Sequence, residues 1–394
     1  MKPLVIRTPQ AFWEKQRILA RTLHRVTELD LRQRQVQVEN METGKIWREP
    51  FDQLLVATGA IPIRPNVTGV DASGIYALNT LQSGIEARQA ADRKRPDKIV
   101  IVGAGYIGVE MAESFVLRGL DVSIVEKAGQ VMNTMDADMA ELVAGALRES
   151  GVKLYLEESL EGFEVSRGEV REVATTNRSL PADLVILALG VLPNSTLAAK
   201  AGIPTGEMGG IRVDETMQTP LPGIWAAGNC VETWNRVSRR PFYAALGTVA
   251  NKQGRVAGIN IAGGKAAFPG ALGTSVNKFC ALEMARTGLT EKEVQGLGWS
   301  YISARIESHT RAHYYPGARP ITVKVLAEKG SGRLLGGQIV GGEGAAKRID
   351  TLAVALQGGF TIEEMINLDL GYAPPFSPVW DPVLIAVRKA AALV

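Results

Sequence analysis

Three glycines, Gly103, Gly105 and Gly108, lie between a continuous apolar run at residues 99–102 (IVIV) and a segment whose apolar residues recur every fourth position. A run of this kind is typical of a parallel strand that helices cover on both faces. The first glycine permits a tight turn, the second leaves room for a diphosphate, and the third lets the helix lie close to the strand. The pattern predicts a βαβ unit that binds a dinucleotide at Gly103, Ala104, Gly105, Tyr106, Ile107 and Gly108. A glycine-rich turn that binds no ligand is the alternative.

A carboxylate follows the next apolar run, at Glu126. In a dinucleotide-binding unit this position binds both hydroxyls of the adenosine ribose. Because a carboxylate repels a 2′-phosphate, we expect NADH to be preferred over NADPH. The neighbouring Lys127 moderates that preference.

Two segments of similar form suggest that the chain crosses between domains twice. Residues 54–65 (LLVATGAIPIRP) and 184–194 (LVILALGVLPN) are each an apolar run, then a small residue and glycine, then proline. A third apolar run, at residues 222–230 (PGIWAAGNC), also ends in small residues, which lets a backbone approach a flat ligand. An ordinary strand end is the alternative interpretation of that third run.

Charge and cysteine content exclude several classes of protein. The 44 basic and 41 acidic residues give a net charge of +3, too balanced for binding nucleic acid or anionic lipid. Cys230 and Cys280 have neither metal-ligand spacing nor a disulfide pattern. His309 and His313 lie in strand-like sequence, where their spacing separates them too far for a shared metal, so we predict no metal site. With no signal sequence or membrane span in the pattern, a cytoplasmic location is expected.

Seven ordered motifs resemble the pyridine nucleotide-disulfide oxidoreductases, and among them the coenzyme A-disulfide reductase, NADH oxidase and persulfide reductase group. They are residues 57–60 (ATGA), 103–110 (GAGYIGVE), 190–194 (GVLPN), 226–229 (AAGN), 285–290 (ARTGLT), 314–317 (YYPG) and 372–376 (YAPPF). The resemblance covers essentially the whole chain. It implies an α/β fold with two Rossmann-like dinucleotide-binding domains and a C-terminal α+β dimerisation domain. The expected bounds are 1–62 and 191–267 for an FAD domain that is incomplete and interrupted, 63–190 for the NAD domain, and 268–394 for dimerisation.

The same resemblance implies roles for individual residues. NADH on the Gly103 motif passes hydride to FAD, Tyr106 is the aromatic gate between the two rings, and Glu110 lies near the carboxamide. Gly190 is the glycine of the second crossover, beside the cofactor. The residues expected to hold FAD are Thr58, Gly59, Gly228, Asn229 and Tyr372. Tyr372 also reaches across a homodimer as the single candidate catalytic residue, and Asn251 matches a substrate-side position.

Four departures from the family pattern are visible. No glycine-rich strand–helix segment for the ADP half of FAD precedes Ala57, so we expect that a flavin-binding segment is missing from the chain as given. The family's redox cysteine lies in that segment, and neither Cys230 nor Cys280 occupies its position. Asn229 stands where the family has an aspartate. Trp380 stands where a coenzyme A-binding lysine can occur, which argues against coenzyme A as substrate.

The expected function is that of an FAD-dependent NAD(P)H oxidoreductase acting on a small-molecule or protein thiol, disulfide, persulfide or oxygen species. Two alternatives remain open. One is a non-catalytic dimer that binds NADH but has lost flavin chemistry. The other is a flavoprotein reductase that passes electrons to a protein partner without a disulfide.

Overall fold

The computed structural model describes Leu4, residues 6–94 and residues 96–394. In this part of the chain the helices are α1 (Pro9–Gln16), α2 (Leu81–Lys94), α3 (Tyr106–Val116), α4 (Ala137–Glu149), α5 (Thr196–Lys200), α6 (Gly247–Ile261), α7 (Glu291–Gly296), α8 (Ile349–Gly358), α9 (Ile362–Ile366) and α10 (Pro382–Ala391). The strands are β1 (His24–Asp30), β2 (Gln35–Asn40), β3 (Ile46–Pro50), β4 (Leu54–Val56), β5 (Ala60–Pro62), β6 (Ile75–Ala77), β7 (Lys98–Val102), β8 (Asp121–Glu126), β9 (Lys153–Leu156), β10 (Leu160–Ser166), β11 (Glu169–Thr175), β12 (Ser179–Pro181), β13 (Leu184–Leu187), β14 (Val191–Pro193), β15 (Ile224–Ala226), β16 (Thr233–Trp234), β17 (Pro241–Phe242), β18 (Ser275–Phe279), β19 (Leu282–Gly288), β20 (Tyr301–His309), β21 (Pro320–Glu328) and β22 (Leu334–Gly341). Among the described residues, none of the helices has the length and apolar composition that crossing a bilayer requires.

The chain divides into two compact units. The first unit combines three separate stretches: Met1–Gly59, Pro193–Glu232 and Gly247–Phe268. It contains an antiparallel sheet in the order β1-β2-β3 and a parallel pair of β4 with β15. Val56 and Ala226, opposite each other in that pair, lie in an apolar core. The first unit is therefore built from segments that are distant in sequence.

The second unit begins with a five-stranded parallel sheet in the order β6-β13-β7-β8-β9. Successive side chains of β7 alternate between two cores. Ile99 and Ile101 pack with α3 and α4, whereas Val100 and Val102 pack with the small antiparallel sheet β10-β11-β12. Since both faces are covered, every inward position is apolar, which explains the continuous run in the sequence.

The C-terminal part of the same unit is an antiparallel sheet in the order β18-β19-β22-β21-β20. Helices α8 and α10 contact its strands β19 to β22. Phe279, Met284 and Val340 of this sheet belong to the same apolar core as α3 and α4. The C-terminal sheet is therefore packed directly against the helices of the parallel sheet.

The predicted βαβ unit is confirmed as β7, α3 and the parallel strand β8, and the residues near it include Asp136 and Cys280. Asp136 occupies the N-cap position of α4, but its side chain makes no capping bond. Its oxygens instead accept hydrogen bonds from the Glu291 backbone (2.9 Å) and from Gln338 Nε2 (2.7 Å). Cys280 is half-buried against the α3–α4 core, at a left-handed turn (φ 52°) between β18 and β19.

Candidate functional site

The three glycines of the loop after β7 have three different environments. A Cβ on Gly103, whose φ is +106°, would lie 2.4 Å from the Ala188 carbonyl oxygen, and one on Gly108 would lie 2.0 Å from the Gly103 carbonyl oxygen. A Cβ on Gly105 would meet nothing within 4 Å. Two glycines are therefore required by close backbone contacts, whereas the third faces open space.

That open space lies at the N-terminus of α3. Gly105 is the N-cap residue, and no described side chain caps the helix there. The first amides of a helix point out of its end with a partial positive charge, so an uncapped end favours a phosphate. The loop and the helix thus fit the diphosphate of a dinucleotide.

Ala104, between the first two glycines, is held through both of its backbone polar groups. Its N–H donates to Glu126 Oε2 (2.9 Å), and its carbonyl accepts from the Met132 N–H (2.8 Å). Ala104 is fully buried. The loop is therefore rigidly attached to the end of β8 and to the segment after it.

Glu126 is buried, with 7% of its surface exposed. Its second oxygen, Oε1, accepts from the Ala128 N–H (2.9 Å). Each carboxylate oxygen has two lone pairs, so both can still accept a hydroxyl hydrogen bond. Lys127, beside it, is exposed. Sequence reasoning located the carboxylate but missed its backbone partners.

Tyr106 and Glu110, on the first turns of α3, contact strand β18. The Tyr106 hydroxyl lies 2.6 Å from Ser275 Oγ, and Asn277 Nδ2 donates to Glu110 Oε1 (3.2 Å) and to the Tyr106 carbonyl (3.2 Å). Although part of Glu110 reaches solvent, desolvation, together with the charge of Glu113, raises the pKa of its carboxyl. Sequence reasoning missed Ser275 and Asn277.

Gly190 follows β13, close to the carboxyl end of the parallel sheet. Its φ is +94°, and its carbonyl accepts from the Ile63 N–H (3.0 Å). The two crossover segments are therefore tied together within the second unit. Ile107, the remaining loop residue, is half-buried and packs against the α3–α4 core.

The residues expected around FAD fall mainly in the first unit. The Gly59 carbonyl accepts from the Asn194 N–H (3.0 Å), and the Thr58 carbonyl accepts from Asn194 Nδ2 (3.2 Å). Gly228 has φ +87°, and its N–H donates to Gln253 Oε1 (2.9 Å). Asn229 is half-buried beside it.

Gln253 on α6 provides a test of whether these residues suit a cofactor. Its side chain is 1% exposed, and its Nε2 donor has no partner among the described residues. A buried donor without an acceptor is costly, so a bound group with acceptor oxygens would stabilise it. The surroundings of Gly228 therefore fit the polar part of FAD. Asn251, two residues earlier on α6, is exposed.

Neither cysteine has the surroundings of a reactive thiolate. Cys230 is fully buried, and its Sγ lies 3.5 Å from the Val56 carbonyl and 3.4 Å from the Ala227 carbonyl, both acceptors. Desolvation, with the charge of Glu113, raises the pKa of the Cys280 thiol. A raised pKa disfavours the nucleophilic thiolate.

Tyr372 lies in an exposed aromatic group near the C-terminus. A hydrogen bond with Tyr314 raises the pKa of its hydroxyl. Phe376 is 75% exposed, and Trp380 stacks on the guanidinium of Arg388 at 4.3 Å. Exposed aromatic groups of this kind are typical of surfaces that contact another protein chain.

The fold and the glycine loop together define a dinucleotide-binding α/β protein, and comparisons with known proteins identify its family. The family model described as pyridine nucleotide-disulphide oxidoreductase matches residues 9–254, and the model of that family's dimerisation domain matches residues 274–382. The NAD(P)H sulfur oxidoreductase (CoA-dependent) of Pyrococcus furiosus is 39% identical over 348 residues, which are 88% of this chain and 78% of that protein.

Solved structures of similar proteins have the same fold as this chain. An NAD-dependent persulfide reductase from A. fulgidus aligns with a TM-score of 0.95 at 38% identity, over 98% of this chain and 71% of that one. Reduced CoADR-RHD from Bacillus anthracis aligns with a TM-score of 0.95 at 32% identity, over 100% of this chain and 70% of that one.

The chain belongs to the pyridine nucleotide-disulphide oxidoreductase family, in the group of coenzyme A-disulfide reductases, NADH oxidases and persulfide reductases. It is an FAD-dependent NAD(P)H oxidoreductase with Rossmann-type domains and a C-terminal dimerisation domain. The family prediction made from the ordered motifs is confirmed.

Proposed function

We propose that this chain binds NADH at the loop of Gly103, Ala104, Gly105, Tyr106, Ile107 and Gly108 and delivers its hydride to FAD. The free space in front of Gly105, at the uncapped start of α3, is the observation that carries this proposal. Glu126 binds the adenosine ribose and, with Lys127 beside it, sets a preference for NADH over NADPH. Tyr106, Glu110 and Gly190 lie toward the nicotinamide end.

The flavin side is proposed to consist of Thr58, Gly59, Gly228, Asn229 and Tyr372, to which Gln253 is added because of its unpartnered buried donor. When bound there, FAD would supply the redox chemistry between NADH and the electron acceptor, while these residues would hold and orient it. Asn251 remains a proposed substrate-side residue. No step is proposed for Cys230 or Cys280, because neither is placed to form a reactive thiolate.

We propose the electron acceptor to be a disulfide, a persulfide or an oxygen species. The proposal is supported by relatives named persulfide reductase, coenzyme A disulfide reductase and NADH oxidase. The proposed domains are 1–62 with 191–267 for FAD, 63–190 for NAD and 268–394 for dimerisation. The aromatic group around Tyr372 supports a homodimer.

A matched pair of glycine substitutions tests the NADH site. Gly105→Ala adds a methyl group that meets no protein atom but lies where the diphosphate would bind. We expect the free energy of unfolding to stay within about 0.5 kcal/mol and NADH affinity to fall by at least about tenfold. Equilibrium titration with NADH and thermal unfolding measure both.

Gly108→Ala serves as the control, because it should lower the stability that Gly105→Ala leaves unchanged. Its methyl group would lie 2.0 Å from the Gly103 carbonyl oxygen. Overpacking of this kind costs about 1–3 kcal/mol of stability, so the unfolding temperature should fall. If the Gly105→Ala protein binds NADH as tightly as the parent does, the dinucleotide assignment is wrong.

A further inference from the structure

A buried polar cluster connects the C-terminal sheet to the segment that follows Glu126. Gln338 on β22 is fully buried; its Oε1 accepts from the Asp136 N–H (2.8 Å), and its Nε2 donates to Asp136 Oδ2 (2.7 Å). Lys324 on β21, 3% exposed, lies 3.1 Å from Asp136 and 2.7 Å from Asp138. Asp136 is thus fixed through its backbone and its side chain.

A second connection reaches the same segment from β19. Arg286 Nη1 donates to the Thr134 carbonyl (2.7 Å), while Nη2 donates to the Gly288 carbonyl (2.6 Å) and to Glu293 (2.9 Å). Only 11% of the Arg286 side chain is exposed. Because Arg286 is held by Gly288 of its own strand and by Glu293 of α7, its third bond fixes the position of Thr134.

The segment that Arg286 and Gln338 hold, residues 131–136, contacts the glycine loop through Met132. Met132 is fully buried in the left-handed conformation (φ 48°), and its N–H donates to the Ala104 carbonyl (2.8 Å). The Met132 carbonyl in turn accepts from the Met135 N–H (2.8 Å). A left-handed methionine is strained, so it persists only where its surroundings fix it.

The Ala104 carbonyl and the Gly105 N–H belong to one peptide group. That group is planar and trans, so its C=O and N–H point in opposite directions. When Met132 binds the carbonyl on the protein side, the Gly105 N–H is turned outward, toward the open space in front of α3. The direction of this donor therefore depends on residues 131–136 being held in place.

We infer that Arg286 and Gln338 of the C-terminal sheet are positioning residues for the NADH diphosphate, because they hold the segment that orients the Gly105 amide. Neither residue touches the cofactor. The inference rests on the proposed NADH site, and it assigns the C-terminal sheet a role in cofactor affinity in addition to dimerisation.

The test compares Arg286→Met with Arg286→Lys in the full chain carrying its flavin. ADP-ribose contains the diphosphate without nicotinamide, whereas reduced nicotinamide mononucleotide lacks the diphosphate. Arg286→Met should weaken ADP-ribose and NADH about five- to tenfold, which corresponds to the loss of roughly one ordinary hydrogen bond. Its affinity for the mononucleotide should stay within about twofold. Arg286→Lys keeps a donor and should recover most of the loss.

Arg348→Met is the matched control. Arg348 also lies in the C-terminal domain, pairs with Asp381 (2.9 Å) and donates to the carbonyls of Thr310 (2.6 Å) and Phe376 (2.7 Å). The Arg348→Met substitution should lower the unfolding temperature without changing the affinity for ADP-ribose. Should Arg286→Met fail to fold, Gln338→Leu replaces it with the same expected result.

Two outcomes would overturn the inference: unchanged ADP-ribose affinity in the folded variant, or an equal loss for ADP-ribose and the mononucleotide. If the parent protein binds no ADP-ribose at all, the NADH assignment itself fails. The two failures are therefore distinguishable.

Discussion

Glu126 places one negative charge beside the loop that is proposed to bind the diphosphate, with its two oxygens on the Ala104 and Ala128 amides. Glu126→Gln removes that charge with little change of shape. Repulsion between a carboxylate and a 2′-phosphate a few ångströms away costs a few kcal/mol even at a high effective dielectric constant. We therefore expect the ratio of NADPH to NADH affinity to rise by about tenfold or more, as measured by parallel titrations.

The same substitution has a structural cost, because an amide NH2 cannot accept from one of the two backbone N–H groups. Stability should fall by about 1–3 kcal/mol. Glu141→Gln, which removes an exposed carboxylate paired with Arg148 on α4, should change neither the affinity ratio nor the stability appreciably. An unchanged ratio in Glu126→Gln would remove Glu126 from cofactor discrimination.

At the level of single residues, the sequence predicted what depends on local geometry. Gly103, Gly105 and Gly108 differ in the space available for a side chain, because one turn and one helix start determine it. Each of the three glycines has the surroundings that the motif predicts. Ser275 was missed, although it contacts Tyr106, because the two residues are 169 positions apart. No local pattern in the sequence marks such a pair.

The turn between β21 and β22 allows a prediction about pH at the scale of one hairpin. Hydrogen bonds from Arg333 and Ser331 lower the pKa of the Glu328 carboxyl. A lowered folded-state pKa means that the ionised group stabilises the fold above its unfolded pKa, near 4.5, and that this contribution is lost as the pH falls through the folded pKa. The pair is about one-third exposed, so the contribution should stay below about 1 kcal/mol.

Glu328→Gln should accordingly destabilise the protein slightly at pH 7, and this loss of stability should be smaller at pH 3, as measured by urea unfolding at both pH values. Glu307→Gln on β20, whose pair with Arg305 is 72% exposed on the carboxylate side, is the control and should differ little at either pH. A loss of stability that grows toward low pH would contradict the assignment.

At the level of elements, the continuous apolar runs at residues 99–102 and within residues 184–194 predicted β7 and β13, because a parallel strand covered on both faces is apolar at every position. Asp136 shows most clearly what the sequence alone does not predict. Its position at the start of α4 is readable from the sequence, but its side chain was drawn away by Gln338 and Lys324, residues of a distant sheet.

For the whole molecule, the family explains an organisation that composition alone does not. The first unit is assembled from three separate stretches of chain. The two similar segments at residues 54–65 and 184–194 predicted that the chain crosses between domains. The domain bounds stay predictions. The family assignment favours an enzyme over the non-catalytic alternative, whereas titration with a disulfide, a persulfide, oxygen or a protein partner would identify the electron acceptor.

The exposed apolar surface of the dimerisation domain allows a prediction for the assembled protein. Phe376 and Val379 are 75% and 70% exposed, close in sequence to the Tyr372 that hydrogen-bonds Tyr314. A few residues at the centre of an interface, many of them aromatic, contribute most of its binding energy. Phe376→Asp would bury a charge in a homodimer, so dimer affinity should fall by about a hundredfold, as measured by sedimentation over a range of protein concentrations.

Leu117→Asp is the control. It changes a residue that is 71% exposed just after α3 and should leave the dimer intact. A Phe376→Asp protein that dimerises as tightly as the parent would place the interface elsewhere.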